Sequence, residues 1–231
     1  AQPCAAPRAW LEVFIKWIYK KGDPDVWTNY RGIALASVIL KIYERMLKNR
    51  WSRLYLKILR PISWLQDEGA DGVDCRHQLW LLQETLAYRL FVLGLNTFCI
   101  TVDLARAFPS SMREYVALMM WNVGCRGAFL RALWNIWNRV GVRLATSDGC
   151  YSDFVAFVRG LLEGRVMSGD GFAVLLDDLR RVLEASGLGV RLVRRDGTEI
   201  WVGCVLKTDD VLLMADSEDE LRLAYGILKA W

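Results

Sequence analysis

The sequence predicts an α+β fold: helices first, then a β–α–β–β core whose antiparallel sheet carries its helices on one face. Three observations predict it. The early part of the chain holds amphipathic stretches at helical spacing, as in residues 33–55, where Ile39, Ile42, Tyr43, Met46 and Leu47 fall on one face and Lys41, Glu44 and Lys48 on the other. Short β-rich runs follow, beginning with Thr97-Phe-Cys-Ile-Thr-Val-Asp103. Asp148-Gly149 and Asp196-Gly197 are hairpin-turn pairs placed between such runs.

Bulk properties bound the function classes. With 231 residues, 54% hydrophobic and 24% charged, the chain is long and apolar enough for one large domain or two lobes and is not a disordered chain. A net charge of +4 permits a nucleic-acid partner without requiring one. No apolar run approaches the roughly 20 residues that span a bilayer. The first residues lack the basic-then-apolar pattern of a signal peptide. The expected location is therefore intracellular, nucleus or cytoplasm, with no secretion and no membrane partner. The six Cys are scattered, none in a C-x-x-C pair, and His77 is the single His. That set does not make a zinc site and reads as buried, reduced thiols.

The elements follow in order. Residues Trp10–Lys20 are apolar with basic insertions, closed by the turn Lys21-Gly-Asp-Pro24. The helical stretch 33–55 ends at Pro61, and Gln66–Cys75, with two Gly and three acidic residues, reads as a loop. Gln78–Leu93 is helical and closes at Gly94 and Asn96. After the run to Asp103, Ser110 with Glu114 has the look of a capping box opening a Trp-rich helical stretch to Arg139. Residues Val140–Val158 read as a hairpin, Phe172–Ala185 as a helix, and Val190–Val193 with Glu199–Leu206 as strands. Asp209-Asp210 precedes the apolar run Val211–Met214, and Ser217 with Glu220 caps a final helix. There is no internal repeat.

Two carboxylate sites stand out, Asp103 at the end of an apolar strand and Asp209-Asp210 between two apolar runs. Carboxylates are poor β-formers and costly beside apolar strands without a cation. If Phe98–Asp103 and Val202–Leu206 are neighbours in one sheet, Asp103 and Asp209 meet at its edge. Such a pair suits Mg²⁺, a hard ion that takes a few carboxylates plus substrate phosphates. The simpler reading of the same residues is a polar turn and a helix cap.

Four stretches in order resemble the reverse transcriptases of non-LTR (LINE-like) retrotransposons. They are Lys20-Lys-Gly-Asp-Pro with Asn29-Tyr-Arg-Gly-Ile-Ala-Leu and Lys41-Ile-Tyr-Glu; Thr101-Val-Asp-Leu-Ala-Arg-Ala-Phe108; Gly160-Leu-Leu-Glu-Gly164 with Ser168 and Phe172–Leu179; and Lys207-Thr-Asp-Asp210 with Val-Leu-Leu-Met-Ala-Asp-Ser217. The resemblance runs from about Lys16 to the end. It implies the right-hand fingers and palm of an RNA-directed DNA polymerase. Residues 1–96 would be fingers-like and mostly helical, and 97–231 palm-like α+β with both carboxylate motifs, the thumb missing. It implies catalysis by Asp103, Asp209 and Asp210, with two Mg²⁺ (or Mn²⁺) on Asp103 and Asp209. It implies nucleotide contacts by Lys21, Arg31, Phe108, Glu163 and Gly164: Lys21 and Arg31 on the triphosphate, Phe108 under the sugar as a steric gate, Gly164 beside the base pair. The implied partners are an RNA template, a DNA primer and dNTPs.

The sequence departs from the family pattern in places. The family's basic loop is here Gln66–Asp74, with Ala70, Asp71 and Val73 at the basic positions. The motif Gln is Glu163, the residue after Ser168 is Gly169, the residue after Phe108 is Pro109, and Lys207 replaces an aromatic residue. A carboxylate at 163 is expected to oppose nucleotide binding, and Lys207, two residues before Asp209, to sit beside it on one strand face. Two alternatives follow: a catalytically decayed remnant acting as a nucleic-acid-binding scaffold, and an α+β domain of unrelated role.

Overall fold

The structure is a computed structural model that describes residues 6–56, 75–146 and 149–231. The loop 66–74, Pro61 and Asp148 of the Asp148-Gly149 turn lie outside the described residues. In chain order the elements are β1 (Glu12–Tyr19), β2 (Tyr30–Ala36), α1 (Val38–Arg50), α2 (Cys75–Ala87), β3 (Phe98–Asp103) and α3 (Ala107–Ser110). Then come α4 (Arg113–Asn122), α5 (Gly127–Arg139), β4 (Gly141–Leu144), β5 (Val155–Ala156) and α6 (Ser168–Ala185). The chain closes with β6 (Val190–Val193), β7 (Glu199–Val202), β8 (Cys204–Lys207), β9 (Asp210–Ala215) and α7 (Glu218–Ala230). The fold is α+β, as expected. The chain forms two compact units, one of Ala1–Arg60 with Phe108–Phe172, the other of Pro61–Ala107 with Ala173–Trp231. The sequence boundary at 96/97 falls inside the second.

In the first unit a four-stranded sheet runs β2-β1-β4-β5. β1 pairs antiparallel with β2 and parallel with β4, Glu12 lying opposite Gly141 and Val13 opposite Val142. A parallel neighbour needs a long crossover, here everything between Tyr19 and Gly141. Arg143 and Glu12 form an ion pair across β1 and β4. The alternation of strand side chains puts Val13 and Ile15 on one face, where they close a core with Ala34, Val140, Val142 and Leu162. The hairpin expected over 140–158 is present, β5 folding back on β4.

Residues 33–36 belong to β2 rather than to the following helix. Ser37 is the boundary: its Oγ accepts the Leu40 N–H at 3.2 Å, capping α1. The buried face of α1 is also not the expected one. Leu40, Glu44 and Leu47 are buried, whereas Ile39, Ile42 and Met46 are more than half exposed. The reason is a counter-charge that helical spacing does not reveal. Arg165 grips the fully buried Glu44 with Nε at 3.0 Å and Nη2 at 2.6 Å. The Trp-rich stretch is two helices, split between Asn122 and Gly127 where Gly124 takes φ +98°. Ser110 ends the one-turn α3, and Arg113 opens α4 without a side-chain cap, so Glu114 completes no capping box.

In the second unit the sheet order is β3-β9-β8, with β6 and β7 as a separate hairpin. The run expected over 199–206 therefore breaks in two at Gly203. The Trp201 ring lies where a Cβ on Gly203 would stand, 2.3 Å away, and Trp201 Nε1 donates to Leu188 O at 2.7 Å. β7 thus stays with β6, while Gly203 O accepts from Met214 N at 2.9 Å and leads into β8. Successive residues Cys204, Val205 and Leu206 of β8 and Leu213, Met214 and Ala215 of β9 are buried. Neighbours on a strand face opposite ways, so that end of the sheet is covered on both faces, not on one. Helix α7 packs on β9 and β3, and α2 on β8. Ser217 caps α7 as expected: its Oγ accepts from Glu220 N at 3.2 Å, while Glu220 Oε2 accepts from Asp216 N, one residue before the cap, at 3.2 Å.

Among the described residues no helix is long and apolar enough to cross a membrane. Cys99, Cys125, Cys150 and Cys204 are reduced thiols; burial pushes Cys125 and Cys204 up to about 12, while Cys99 and Cys150 are exposed.

Candidate active-site residues

Asp103 and Asp210 meet at one end of the β3-β9-β8 sheet, and Asp209 precedes Asp210 in the adjoining turn. Asp103 is the last residue of β3 and Asp210 the first of β9, and they are direct partners in the antiparallel register. Directly opposed residues share a face, so Asp103 and Asp210 project on the same side. Asp209 sits one residue earlier, in the two-residue turn joining β8 to β9. Its carbonyl accepts the Leu104 N–H at 2.9 Å, which extends the pairing just past Asp103. β3 is thus neighbour to β9, with β8 on the far side, and not to the strand before the acidic pair.

The turn has an unusual backbone. Thr208 takes φ +51°, a conformation that a β-branched side chain adopts only under constraint. Such strain, typically ~1–3 kcal/mol, clusters at functional sites. Lys207 ends β8 opposite Asp210. The turn thus intervenes between Lys207 and Asp209, and the carboxylate facing Lys207 across the ladder is that of Asp210, not Asp209. Asp103, Asp210 and Lys207 are exposed and Asp209 is half-buried. Among the described residues no group of three or more His, Cys, Asp or Glu is arranged to hold a metal ion. A Mg²⁺ ion needs no such protein cage, because one or two carboxylates plus substrate phosphates suffice; the donor set here is of that open kind.

The residues expected to contact a nucleotide all lie in the first unit. Lys21 is exposed in the turn after β1, and Arg31 is on β2, opposite Ile18. Glu163 and Gly164 form a turn set against β2. Glu163 O accepts from Ala34 N at 3.4 Å, and Glu163 Oε2 accepts from Arg31 Nε at 2.6 Å. Gly164 takes φ +84°, and a Cβ there would lie 3.3 Å from Ala34 O. Glycine is needed both for the turn and for this approach.

Phe108 is half-buried in α3, its ring 4.8 Å from that of the buried Phe172. Its carbonyl accepts from Leu161 N at 2.8 Å. Gly160, at φ +83°, packs so closely that a Cβ would stand 2.4 Å from Pro109 O. Arg113 ties this junction down, donating Nε to Gly160 O at 2.7 Å and Nη1 to Trp137 O at 2.5 Å. Sequence reasoning missed Arg113, Arg165 and Glu44. Only the Glu in Lys41-Ile-Tyr-Glu44 carried a signal, since it interrupts a possible Leu40, Leu47, Trp51 stripe, and Trp51 is fully buried.

Comparison with solved structures shows what this fold is. Telomerase of Candida albicans, solved with a TWJ fragment of telomeric RNA, superposes with a TM-score of 0.65 at 11% identity, over 94% of this chain and 38% of that one. Apo telomerase of Candida tropicalis gives 0.62 at 12% identity, over 95% and 42%. A form of the latter truncated from the C-terminal domain gives 0.56 at 14% identity, over 98% and 47%. The chain thus has a reverse-transcriptase-like polymerase fold and spans less than half the length of these telomerases. No protein-family profile matches the chain, and no curated protein sequence matches it.

Proposed function

We propose that the chain is the fingers and palm of an RNA-directed DNA polymerase of the non-LTR retrotransposon type, adding dNTPs to a primer 3′-hydroxyl on an RNA template. The observation that supports this best is the pairing of Asp103 with Asp210, with Asp209 in the adjoining turn, at one end of an antiparallel sheet in a reverse-transcriptase-like fold. In this reading Asp103 and Asp209 would hold the divalent ions, Mg²⁺ or Mn²⁺, with Asp210 supporting. Two such ions supply stabilisation of the attacking and leaving oxygens in phosphoryl transfer. Arg31 and Lys21 would bind the triphosphate as fixed cations where charge develops. The ring of Phe108, held by Phe172, would lie under the sugar, and Gly164 would leave its backbone open to the base pair.

The test is dNTP incorporation on a primed RNA template with and without Mg²⁺, with Asp209→Ala as control. Incorporation by the parent chain that Asp209→Ala abolishes is the expected result; incorporation that survives Asp209→Ala would remove the assignment. A second reading, a decayed remnant that binds nucleic acid without copying it, is favoured by two contacts. Glu163 occupies Arg31, and Lys207 faces Asp210 across the hairpin. Retained binding of primed template with no incorporation would decide for it.

A further inference from the structure

The side of β3 turned away from β9 is an unpaired strand edge, and its backbone phase follows from the hydrogen bonds of the sheet. Leu104 N donates to Asp209 O at 2.9 Å beside the β3–β9 ladder, and Met214 N donates to Gly203 O at 2.9 Å beside the β8–β9 ladder. Antiparallel partners exchange hydrogen bonds at every second pair. Phe98, Ile100 and Val102 therefore turn their N–H and C=O groups to Ala215, Leu213 and Val211 of β9. Cys99, Thr101 and Asp103 each turn one N–H and one C=O the other way. Among the described residues no strand pairs with that side of β3.

Edges of this kind are ordinarily blunted by Lys, Pro, a bulge or a covering segment. The edge strand β2 has such cover, where Ala34 N donates to Glu163 O at 3.4 Å. β3 has none of these devices. Phe98-Cys-Ile-Thr-Val-Asp103 keeps an unbroken register, is exposed or half-buried along its length and contains no Pro, Gly or Lys. Its residues are mostly β-branched or aromatic, the types that favour strands. The segment leading into it is apolar and exposed as well: Leu90, Phe91, Val92, Leu93 and Leu95 are 40% to 81% exposed. From Leu90 to Val102 there is no charged residue.

We infer that this edge pairs antiparallel with the same edge of a second copy of the chain. An uncharged edge offers an acidic or basic partner nothing to read, whereas a like strand meets it group for group. The fullest ladder forms when Thr101 lies opposite the partner's Thr101. Cys99 then lies opposite the partner's Asp103, and every outward N–H and C=O of both strands is paired. The two Asp103 carboxylates fall at opposite ends, on the order of 13 Å apart along the strands and past a Debye length of about 8 Å. Strands this short bury too little alone for a stable dimer, which takes roughly 800 Å² per partner; the exposed apolar segment 90–95 supplies further surface. The product is a continuous sheet ordered β8-β9-β3-β3-β9-β8. Its two-fold axis leaves the Asp103–Asp210 pairs of both copies on one face. The inference does not rest on the polymerase reading.

The test is sedimentation equilibrium of the full 231-residue chain, without nucleic acid or divalent ion, up to about 100 μM. A monomer–dimer equilibrium is expected. Thr101→Pro removes one outward N–H, a change an edge strand accepts. Thr101→Lys sets like charges opposite one another across the new ladder. Each is expected to weaken the dimer at least about tenfold. Far-UV circular dichroism identifies a variant that has lost its fold, and Thr101→Lys, at an exposed position, carries the test if Thr101→Pro does. In a Cys99→Ser background, Thr101→Cys is expected to give an intermolecular disulfide at position 101, because hydrogen-bonded partners stand about 5.5 Å apart at Cα. Cys99 of the unaltered chain, offset from its counterpart in this register, is expected to give none. A monomer throughout, a dimer that both Thr101 variants leave unchanged, or disulfides confined to other positions would each overturn the proposal; the first of these leaves the edge to a strand from another protein.

Discussion

Arg31 donates from Nε to Glu163 Oε2 at 2.6 Å, although the two residues stand 132 positions apart. The guanidinium expected to meet a triphosphate is thus already answered by a carboxylate on a turn fastened to the same strand. With side chains 51% and 25% exposed, the pair contributes little to stability, about 0.2–1 kcal/mol after solvent screening. Its effect falls on anion binding instead. Glu163→Gln is expected to tighten binding of a dNTP or of inorganic tripolyphosphate about three- to tenfold, in line with removal of one screened negative charge. Calorimetric titration of the two chains checks this, and equal affinities would show that Glu163 leaves Arg31 available.

The glycines allow a clean comparison. Gly197 and Gly160 both take φ +83°, but an added Cβ would meet nothing within 4 Å at Gly197 and Pro109 O at 2.4 Å at Gly160. Gly197→Ala should cost about 1 kcal/mol, the conformational part alone. Gly160→Ala adds a backbone collision and should cost at least about 2 kcal/mol more, or prevent folding. Urea denaturation of both variants measures the difference.

The Glu44–Arg165 pair, 1% and 4% exposed, sits where removing one partner strands a charge. Glu44→Ala alone should destabilise by about 3–5 kcal/mol, and Glu44→Met with Arg165→Met by far less or not at all. A thermal-denaturation double-mutant cycle checks the coupling. Near-additive losses would show that the pair is not a unit.

Asp170 gives a pH dependence. It is 1% exposed at the start of α6, with Lys48 Nζ 3.0 Å from Oδ2. Burial raises its carboxyl above the usual 3.8, and Lys48 offsets only part of that. An acid whose folded value is raised binds more protons folded than unfolded. Stability therefore falls as pH rises from about the unfolded value through the folded one. Asp170→Asn removes this slope. Its stability relative to the parent should increase across that interval and then level off, as followed by denaturation midpoints at a series of pH values. A parent–variant difference independent of pH would show that Asp170 keeps an ordinary carboxyl.

Much of this was legible in the sequence because it depends on local rules. Asp196-Gly197, the Ser217 cap and the strand ending at Asp103 are set by turn chemistry, capping and alternation, and each appears where expected. What was hidden depends on partners far along the chain. Helical spacing chose Ile39, Ile42 and Met46 as the inner face of α1 because nothing near them announces that Arg165 will neutralise Glu44. Likewise, the pairing of β3 with β9 rather than with the strand before Asp209 is a choice of sheet order, which strand patterns do not encode. Lys207 was matched to the wrong aspartate because a turn, not a strand, follows it.

Each compact unit is assembled from two stretches of chain, exchanged at residues 60/61, 107/108 and 172/173. A ribosome making this protein emits β1 and β2 long before β4, the parallel neighbour that β1 requires at Gly141. The hairpin must wait, its Val13 and Ile15 without the partners that will cover them. The next stretch, through β3, cannot settle either until β9 follows more than a hundred residues later. The first unit is complete only once Phe172 has been made, and the second only after the segment Ala173–Trp231 follows, so nothing within the first 107 residues is a finished unit. Slow acquisition of structure and dependence on holding chaperones follow from distant pairings of this kind, and a cut at residue 107 yields two pieces that each contain half of both units.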